Sequence, residues 1–223
     1  MNIIPLSRVD IYEFFGDTSL IDEVNEEISK TPIQWTPTSA RDQNSDSKKF
    51  SNTSIGYLND NIPYYNYKLF NWIQGCVDSV AELHYDKKLA IVDSWLTKNE
   101  FGQTTEHHHH TSSVISGLLY LTTFKNSGTI FTYPDPWTEH LPNLIMPNYK
   151  KIKIYPEKGK LILWRSDIKH SVQPHTDLKT VRHTLAFNTF FDGVLNNNDT
   201  GRLSLKVESV KDKYESYINE NTK

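Results

Sequence analysis

Of 223 residues only one, Cys76, is a cysteine. No intramolecular disulfide can form, and a reducing interior, the cytoplasm, is the natural compartment. Long apolar runs are missing too, since none approaches the roughly 20 residues that a helix needs to span a bilayer. A basic surplus is likewise absent. The net charge is −3, and phosphate binding needs a concentrated basic surface, so the charge gives no reason to expect a nucleic-acid partner. The opening MNIIPLSRVDIYEFF has neither a basic n-region nor a small-residue cleavage site, so no secretory signal is expected there. No internal repeat is visible. What remains is a composition of 37% hydrophobic, 12% aromatic and 23% charged residues, which excludes the disordered and fibrous classes. The length suits one domain with a well-buried core and is short for two. We therefore expect one domain over 1–223, with a supporting part at 1–88, a core at 89–192 and a C-terminal extension at 193–223.

The supporting part reads as strand, helix, loop, helix. Residues 3–15 are rich in Ile, Phe and Tyr and predict a strand. From Ser19 to Lys30, Leu20, Ile21, Val24 and Ile28 fall on one helical stripe, with Asp17 or Thr18 as N-cap. Residues 36–54 are polar without apolar period and predict a long surface loop. A second helix is expected from Tyr64 to Tyr85, where Leu69, Ile73, Cys76, Val80 and Leu83 recur at helical spacing and Phe70, Trp72 and Val77 widen the stripe. Cys76 on that stripe predicts a buried structural thiol rather than a nucleophile.

After Lys88 the period changes from helical to alternating. Short runs at Leu89–Leu96, Val114–Thr123, Gly128–Tyr133, Lys151–Tyr155, Lys160–Trp164, His170–Val172 and Val181–Phe191 are punctuated by Gly, Pro, Asn and Asp. Such a series predicts a mainly β sandwich or barrel, here with the helices outside one sheet. Ser209–Asn221 predicts a short amphipathic helix with Val210, Tyr214 and Ile218 in line. The Pro- and aromatic-rich segment 132–149 links two strands, and Trp137 and His140 in it are candidates for substrate contact or for plain loop packing.

The chemistry is concentrated in EHHHHTSSVISGLLYL, residues 106–121. Strand alternation puts His108 and His110 on one face and His107 and His109 on the other. Two imidazoles one strand step apart can chelate one metal, and a third ligand must come from elsewhere. His170, in LILWRSDIKHSVQPH, is the best candidate, with Arg182 twelve residues later inside VRHTLAFN. Taken singly, each of these is more often a solvated or core residue. Together, two chelating histidines, a distant histidine and a strand arginine form an ordered set.

That set brings a family into view. Asp93 to Asn188 carries DSWL, then Gly102, then H-x-H six residues after it, then SGLLYL, NSGTIFTYPDP, G-x-L-x-L-W, S-x-x-x-H-S-V-x-P and R-x-T-x-x-F-N. The stretch, somewhat under half of the chain, resembles the 2-oxoglutarate–Fe(II) oxygenases common in marine phages and bacteria, distant relatives of prolyl hydroxylases. The resemblance implies a double-stranded β-helix, or jelly roll, with N-terminal helices packed on one sheet. It sets the register among the four histidines, since Gly102 and Ser116–Gly117 both select His108. It implies Fe(II) bound by His108, His110 and His170, the catalytic centre, with 2-oxoglutarate and O2 as co-substrates. Arg182 is implied as anchor of the distal carboxylate of 2-oxoglutarate, a task suited to a bidentate guanidinium fork. Tyr120 is implied as a further contact of that carboxylate; its parity with His108 and His110 points it inward, where a core tyrosine without a ligand fits as well. Thr184, on the same strand face as Arg182, can donate its hydroxyl to the same group, and Asn188 and Trp95 are weaker site candidates, read rather as core or wall residues. The wider superfamily has a carboxylate where this chain has His110, the 2-His-1-carboxylate triad. Glu106 is therefore kept as an alternative oxygen ligand.

The implied reaction is decarboxylation of 2-oxoglutarate to succinate and CO2, coupled to hydroxylation of a substrate that the sequence does not name, a small molecule or a protein side chain. Two other readings stay open. A cupin-like metalloenzyme would use the same histidines without 2-oxoglutarate. A non-catalytic jelly-roll module would hold structural zinc or no metal, although structural zinc favours four closed ligands, usually with cysteine.

Overall fold

A computed structural model of the chain describes residues 9–37, 52–54, 62, 66–124, 126–134, 149–195 and 205–221. The chain runs β1 (Ile11–Phe15), α1 (Thr18–Lys30), β2 (Trp35–Pro37), β3 (Asn52–Ser54), α2 (Tyr67–His84), β4 (Leu89–Asn99), β5 (Thr105–His108), β6 (Ile115–Tyr120) and β7 (Thr129–Pro134). It continues through β8 (Tyr149–Ile154), β9 (Lys160–Arg165), β10 (Lys169–Val172), β11 (Arg182–Phe191), β12 (Val194–Leu195), β13 (Leu205–Lys206) and α3 (Val210–Asn221). A seven-stranded sheet has the order β1-β9-β6-β11-β4-β3-β2, and a four-stranded sheet the order β5-β10-β7-β8. All their pairings are antiparallel. This is the jelly-roll arrangement, mainly β, with helices on one face of the larger sheet.

Period 2 in the central strands explains the layering. Leu119, Leu121, Leu161, Leu163, Leu185 and Phe187 point one way and join the apolar stripes of α1 and α2. Leu118, Tyr120, Ile162, Trp164 and Ala186 point the other way, into the space between the sheets, where they meet Phe131, Ile154 and Ile168. Both faces of the larger sheet are thus covered, which is why β6 is buried at every position. Where the two sequence motifs SGLLYL and R-x-T-x-x-F-N cross, Gly117 is paired with Phe187. A Cβ on residue 117 would lie 2.1 Å from the Phe187 ring, so glycine leaves the space that the far end of that ring occupies beside β6.

Helix α1 starts as expected, with the Asp17 side chain accepting from Ser19 N at 2.9 Å. Helix α2 starts at Tyr67 rather than Tyr64, because Asn66 is extended and caps Lys68 N and Leu69 N with its side chain. Its buried stripe ends at Ala81, and Leu83 faces solvent. Cys76 is buried, and burial pushes its thiol pKa up to about 11, an inert state. Within 36–54, where only loop was expected, β2 and β3 pair with each other and β3 pairs with β4. Residues 38–51 lie outside the described residues, as do 3–8 of the expected first strand and 135–148, which hold Trp137 and His140. The β12–β13 ladder was not foreseen. Helix α3 is anchored by buried Val210, with Ser209 and Asp212 capping each other, whereas Ile218 is partly exposed. Among the described residues no helix is long and apolar enough to cross a membrane.

Candidate metal centre

The space between the sheets opens into a cavity of about 540 Å³. Its smaller-sheet side is built by β5 and β10, and its larger-sheet side by β4 and β11. His170 on β10 stands directly opposite His108 on β5. His110 lies past the end of β5, where its backbone N–H donates to Ser166 O at 3.0 Å. A turn follows with Ser112 at φ 58. Strand alternation therefore does not place His110, contrary to the sequence argument. The chain leaves the ladder after His108 and is held by the β9–β10 turn instead.

The three rings cluster with centroids 4.3 Å (108–170), 5.1 Å (110–170) and 5.2 Å (108–110) apart. One ligand nitrogen from each lies within 4.8 Å of the others, within reach of one metal ion. Each ring has the Nδ1 side turned to an oxygen: Glu106 O for His108 at 2.7 Å, Asn188 Oδ1 for His110 at 2.6 Å, and Ile168 O for His170 at 3.2 Å. A carbonyl oxygen only accepts, so each Nδ1 carries the proton and each Nε2 keeps its lone pair for the cavity. Burial is the main cause that holds all three pKa values below the ordinary histidine value, with the neighbouring histidines adding to it; His110 is lowered to about 4. The rings are neutral at pH 7, the form that binds metal. Trp95 stacks on His110 at 5.7 Å, and Trp164 meets His170 edge-on at 4.9 Å.

The other expected site residues divide. His107 and His109 are exposed at the cavity rim, outside the cluster. Glu106 is exposed, and it is its backbone carbonyl that serves the site, through His108; its carboxylate is not part of the cluster. Arg182 and Thr184 are buried and line the cavity. Tyr120 is buried one layer back, donating its hydroxyl to Thr129 Oγ1 at 2.8 Å, with the Arg182 guanidinium 5.5 Å from its ring centre. Arg182 Nη2 donates to the same Thr129 oxygen at 3.4 Å, but Arg182 Nε and Nη1 have no partner. A cation 1% exposed with two unmet donors is costly unless an anion completes it.

Two lining residues were missed by sequence reasoning. Thr129 opens β7 and bridges Tyr120 and Arg182. Asn99, paired with Arg182 across β4 and β11, is 1% exposed with both amide atoms unpartnered. The signal for Asn99 was available, because Trp95, Thr97 and Asn99 continue the alternation of β4 three residues beyond Leu96, where the strand was expected to end.

Residues 93–188 match the family model described as "Putative 2OG-Fe(II) oxygenase". No curated protein matches the chain by sequence. Among solved structures, the chain is similar to the non-haem α-ketoglutarate-dependent epimerase SnoN of nogalamycin biosynthesis (TM-score 0.59, 11% identity, 91% of this chain and 90% of that one). It is similar to a Trichoplax adhaerens prolyl hydroxylase bound to a hypoxia-inducible-factor degradation-domain peptide (TM-score 0.57, 16% identity, 82% and 83%). A Pseudomonas putida prolyl-4-hydroxylase is similar as well (TM-score 0.53, 11% identity, 82% and 92%). At these identities the structural likeness speaks for the fold.

Proposed function

We propose that the chain is a 2OG-Fe(II) oxygenase, a reading supported by the family-model match over residues 93–188, in which His108, His110 and His170 hold Fe(II) while Arg182 anchors 2-oxoglutarate. The protein is a 2-oxoglutarate-dependent oxygenase. The observation that carries the assignment of roles is the buried Arg182, whose Nε and Nη1 lack partners in the cavity that the histidines line. A dicarboxylate co-substrate answers both needs, one end at the metal and one at the guanidinium.

When bound, Fe(II) and 2-oxoglutarate supply the oxidation: O2 gives one oxygen atom to succinate, with loss of CO2, and one to a substrate C–H bond. The protein's own part is to bind, orient and shield. Nε2 of each histidine faces the cavity because its Nδ1–H is already committed to an oxygen. Arg182 and Thr184 receive the distal carboxylate at the floor, with Thr129 and Tyr120 bracing the guanidinium from behind. Trp95 and Trp164 wall the metal side with aromatic surface that excludes water. Substrate enters from the rim where Glu106, His107 and His109 stand.

A cupin-like enzyme without 2-oxoglutarate would leave Arg182 a buried cation with no acidic partner among the described residues, which disfavours that reading. We place the substrate among small molecules and peptide side chains, in keeping with the epimerase and prolyl hydroxylases above. We place the protein in the cytoplasm, on the single buried thiol, and treat 1–223 as one domain because α1, α2 and α3 share a core with the larger sheet. The test is anaerobic titration of the Fe(II)-loaded protein with 2-oxoglutarate, followed by succinate release on admitting O2. A weak visible charge-transfer band and saturable binding are expected. A folded, Fe-loaded protein that shows neither would overturn the proposal.

A further inference from the structure

Three histidines leave a bound divalent ion with its full charge, whereas two histidines and a carboxylate would leave it one unit less positive. Behind His110 lies a polar chain that reaches a carboxylate. His110 Nδ1 donates to Asn188 Oδ1 at 2.6 Å, and Ser116 Oγ donates to the same oxygen at 2.9 Å. The far side of Asn188 meets Asp93, its pairing partner across β11 and β4. Asn188 N donates to Asp93 Oδ1 at 3.1 Å and Asn188 Nδ2 to Asp93 Oδ2 at 3.4 Å. Ser116 also bonds Ser166 Oγ at 2.8 Å, and Ser166 O receives the His110 backbone N–H, so the chain closes on the same loop.

The chemistry of the partners fixes the amide's orientation. A carboxylate only accepts, so the end of Asn188 at Asp93 must be the NH2 group, and the end at His110 must be the carbonyl oxygen. Two donors converge on that oxygen, which settles the His110 tautomer independently of any metal. Hydrogen bonds in series polarise one another, so the negative charge on Asp93 makes the Asn188 carbonyl a better acceptor and the His110 Nε2 a better donor to a metal. The other two rings are held by backbone carbonyls, and among the described residues no carboxylate is bonded behind them in this way. The arm therefore sits at the one ligand position where the wider superfamily carries the carboxylate itself.

We propose that Asn188 and Asp93 are positioning residues of the metal site: Asn188 locks His110 with Nε2 toward the metal, and Asp93 returns, through the amide, part of the negative charge that the ligand set lacks. The inference rests on the reading that these three histidines hold the metal. Its test uses two measurements on the full chain. Nitrogen-15 NMR of the imidazoles in metal-free protein reads the tautomers, and anaerobic competition with a chelator reads the Fe(II) dissociation constant without 2-oxoglutarate. Wild type should show His110 protonated at Nδ1. In Asn188→Leu that signal should become a tautomer mixture while those of His108 and His170 hold, which also reports a folded site, and the dissociation constant should rise ~10–100-fold. Asp93→Asn should fall between the two. The exchange Asp93→Asn with Asn188→Asp, which sets a carboxylate directly on His110, should recover wild-type affinity. An Nε2-protonated His110 in wild type, or an Asn188→Leu protein with unchanged tautomer and affinity, overturns the positioning role. An Asp93→Asn protein that binds Fe(II) as tightly as wild type overturns the charge role. Wild type that binds no Fe(II) would instead refute the metal reading, and the tautomer measurement still decides whether Asn188 locks the ring.

Discussion

Replacing Arg182 with Met should move stability and co-substrate affinity in opposite directions. Arg182 is 1% exposed, and its donors Nε and Nη1 are unmet. Its support is one long bond to Thr129 Oγ1, at 3.4 Å, and the Tyr120 ring at 5.5 Å. Each unmet buried donor costs about 1–3 kcal/mol, and the cation–π contact returns about 2 kcal/mol in a desolvated setting. A thioether chain of similar length removes both, so the ligand-free variant should be more stable than wild type by on the order of 1 kcal/mol. The other side of the exchange is binding. Losing a bidentate, charge-assisted contact worth about 3 kcal/mol weakens 2-oxoglutarate by roughly two orders of magnitude. In wild type, ligand at 100 times its dissociation constant adds about 2.7 kcal/mol of stability, and in the variant that gain should shrink to a few tenths. Urea unfolding of the Fe(II)-loaded protein without oxygen, with and without 2-oxoglutarate, measures all four values. A variant that is less stable by more than about 1 kcal/mol and keeps its ligand-induced gain would refute the reasoning.

His110→Ala should lose much of its Fe(II) while His109→Ala, exposed at the rim, keeps it; metal content after identical loading reads this, and the reverse result would move the site to His107 and His109. Asn99→Ala removes a buried amide with no partner, so stability should hold or rise while affinity for 2-oxoglutarate or substrate falls, measured by titration and by KM. Gly117→Ala should cost about 1–3 kcal/mol in a chemical melt, because the added methyl meets the Phe187 ring, and Phe187→Leu in the same chain should recover part of it. Metal-free protein should lose stability as pH falls from about 6.5 toward 4. The unfolded histidines titrate near 6.5 and the folded ones lower, so below 6.5 the unfolded state holds more protons, and a stability that stays flat across that window would contradict the buried, neutral cluster.

The larger sheet was legible because its central strands are short apolar runs bounded by Gly, Pro, Asn and Asp, and because the helices carry apolar stripes with capping residues before them. What escaped the sequence has physical causes. β2 and β3 pair through the backbone at a sheet edge, which needs no apolar alternation. Leu83 continues the α2 pattern past the point where the sheet stops covering the helix. The position of His110 comes from a backbone bond to Ser166 and a left-handed turn residue, neither of which leaves a periodic trace. Tyr120 was rightly read as facing inward, but parity could not say that Thr129 would occupy its hydroxyl. The importance of Asn99 depends on what fails to reach it, and a sequence does not record an unmet hydrogen bond.

The pairing of His108 with His170 bears on the order in which the molecule is assembled during synthesis. The local pair, His108 and His110, leaves the ribosome early, but its third companion arrives only after β6, β7, β8 and β9 have been made. Until β10 docks between β5 and β7, a nascent chain offers a divalent ion two imidazoles on an unrestrained loop. On the proposed assignment, capture of the ion would then close the longest chain segment in the smaller sheet, and its binding free energy would become folding free energy for that docking step. The ion would in this sense be a seal on the smaller sheet, set before β11 completes the larger one, and a chain truncated before residue 170 would have nothing to seal.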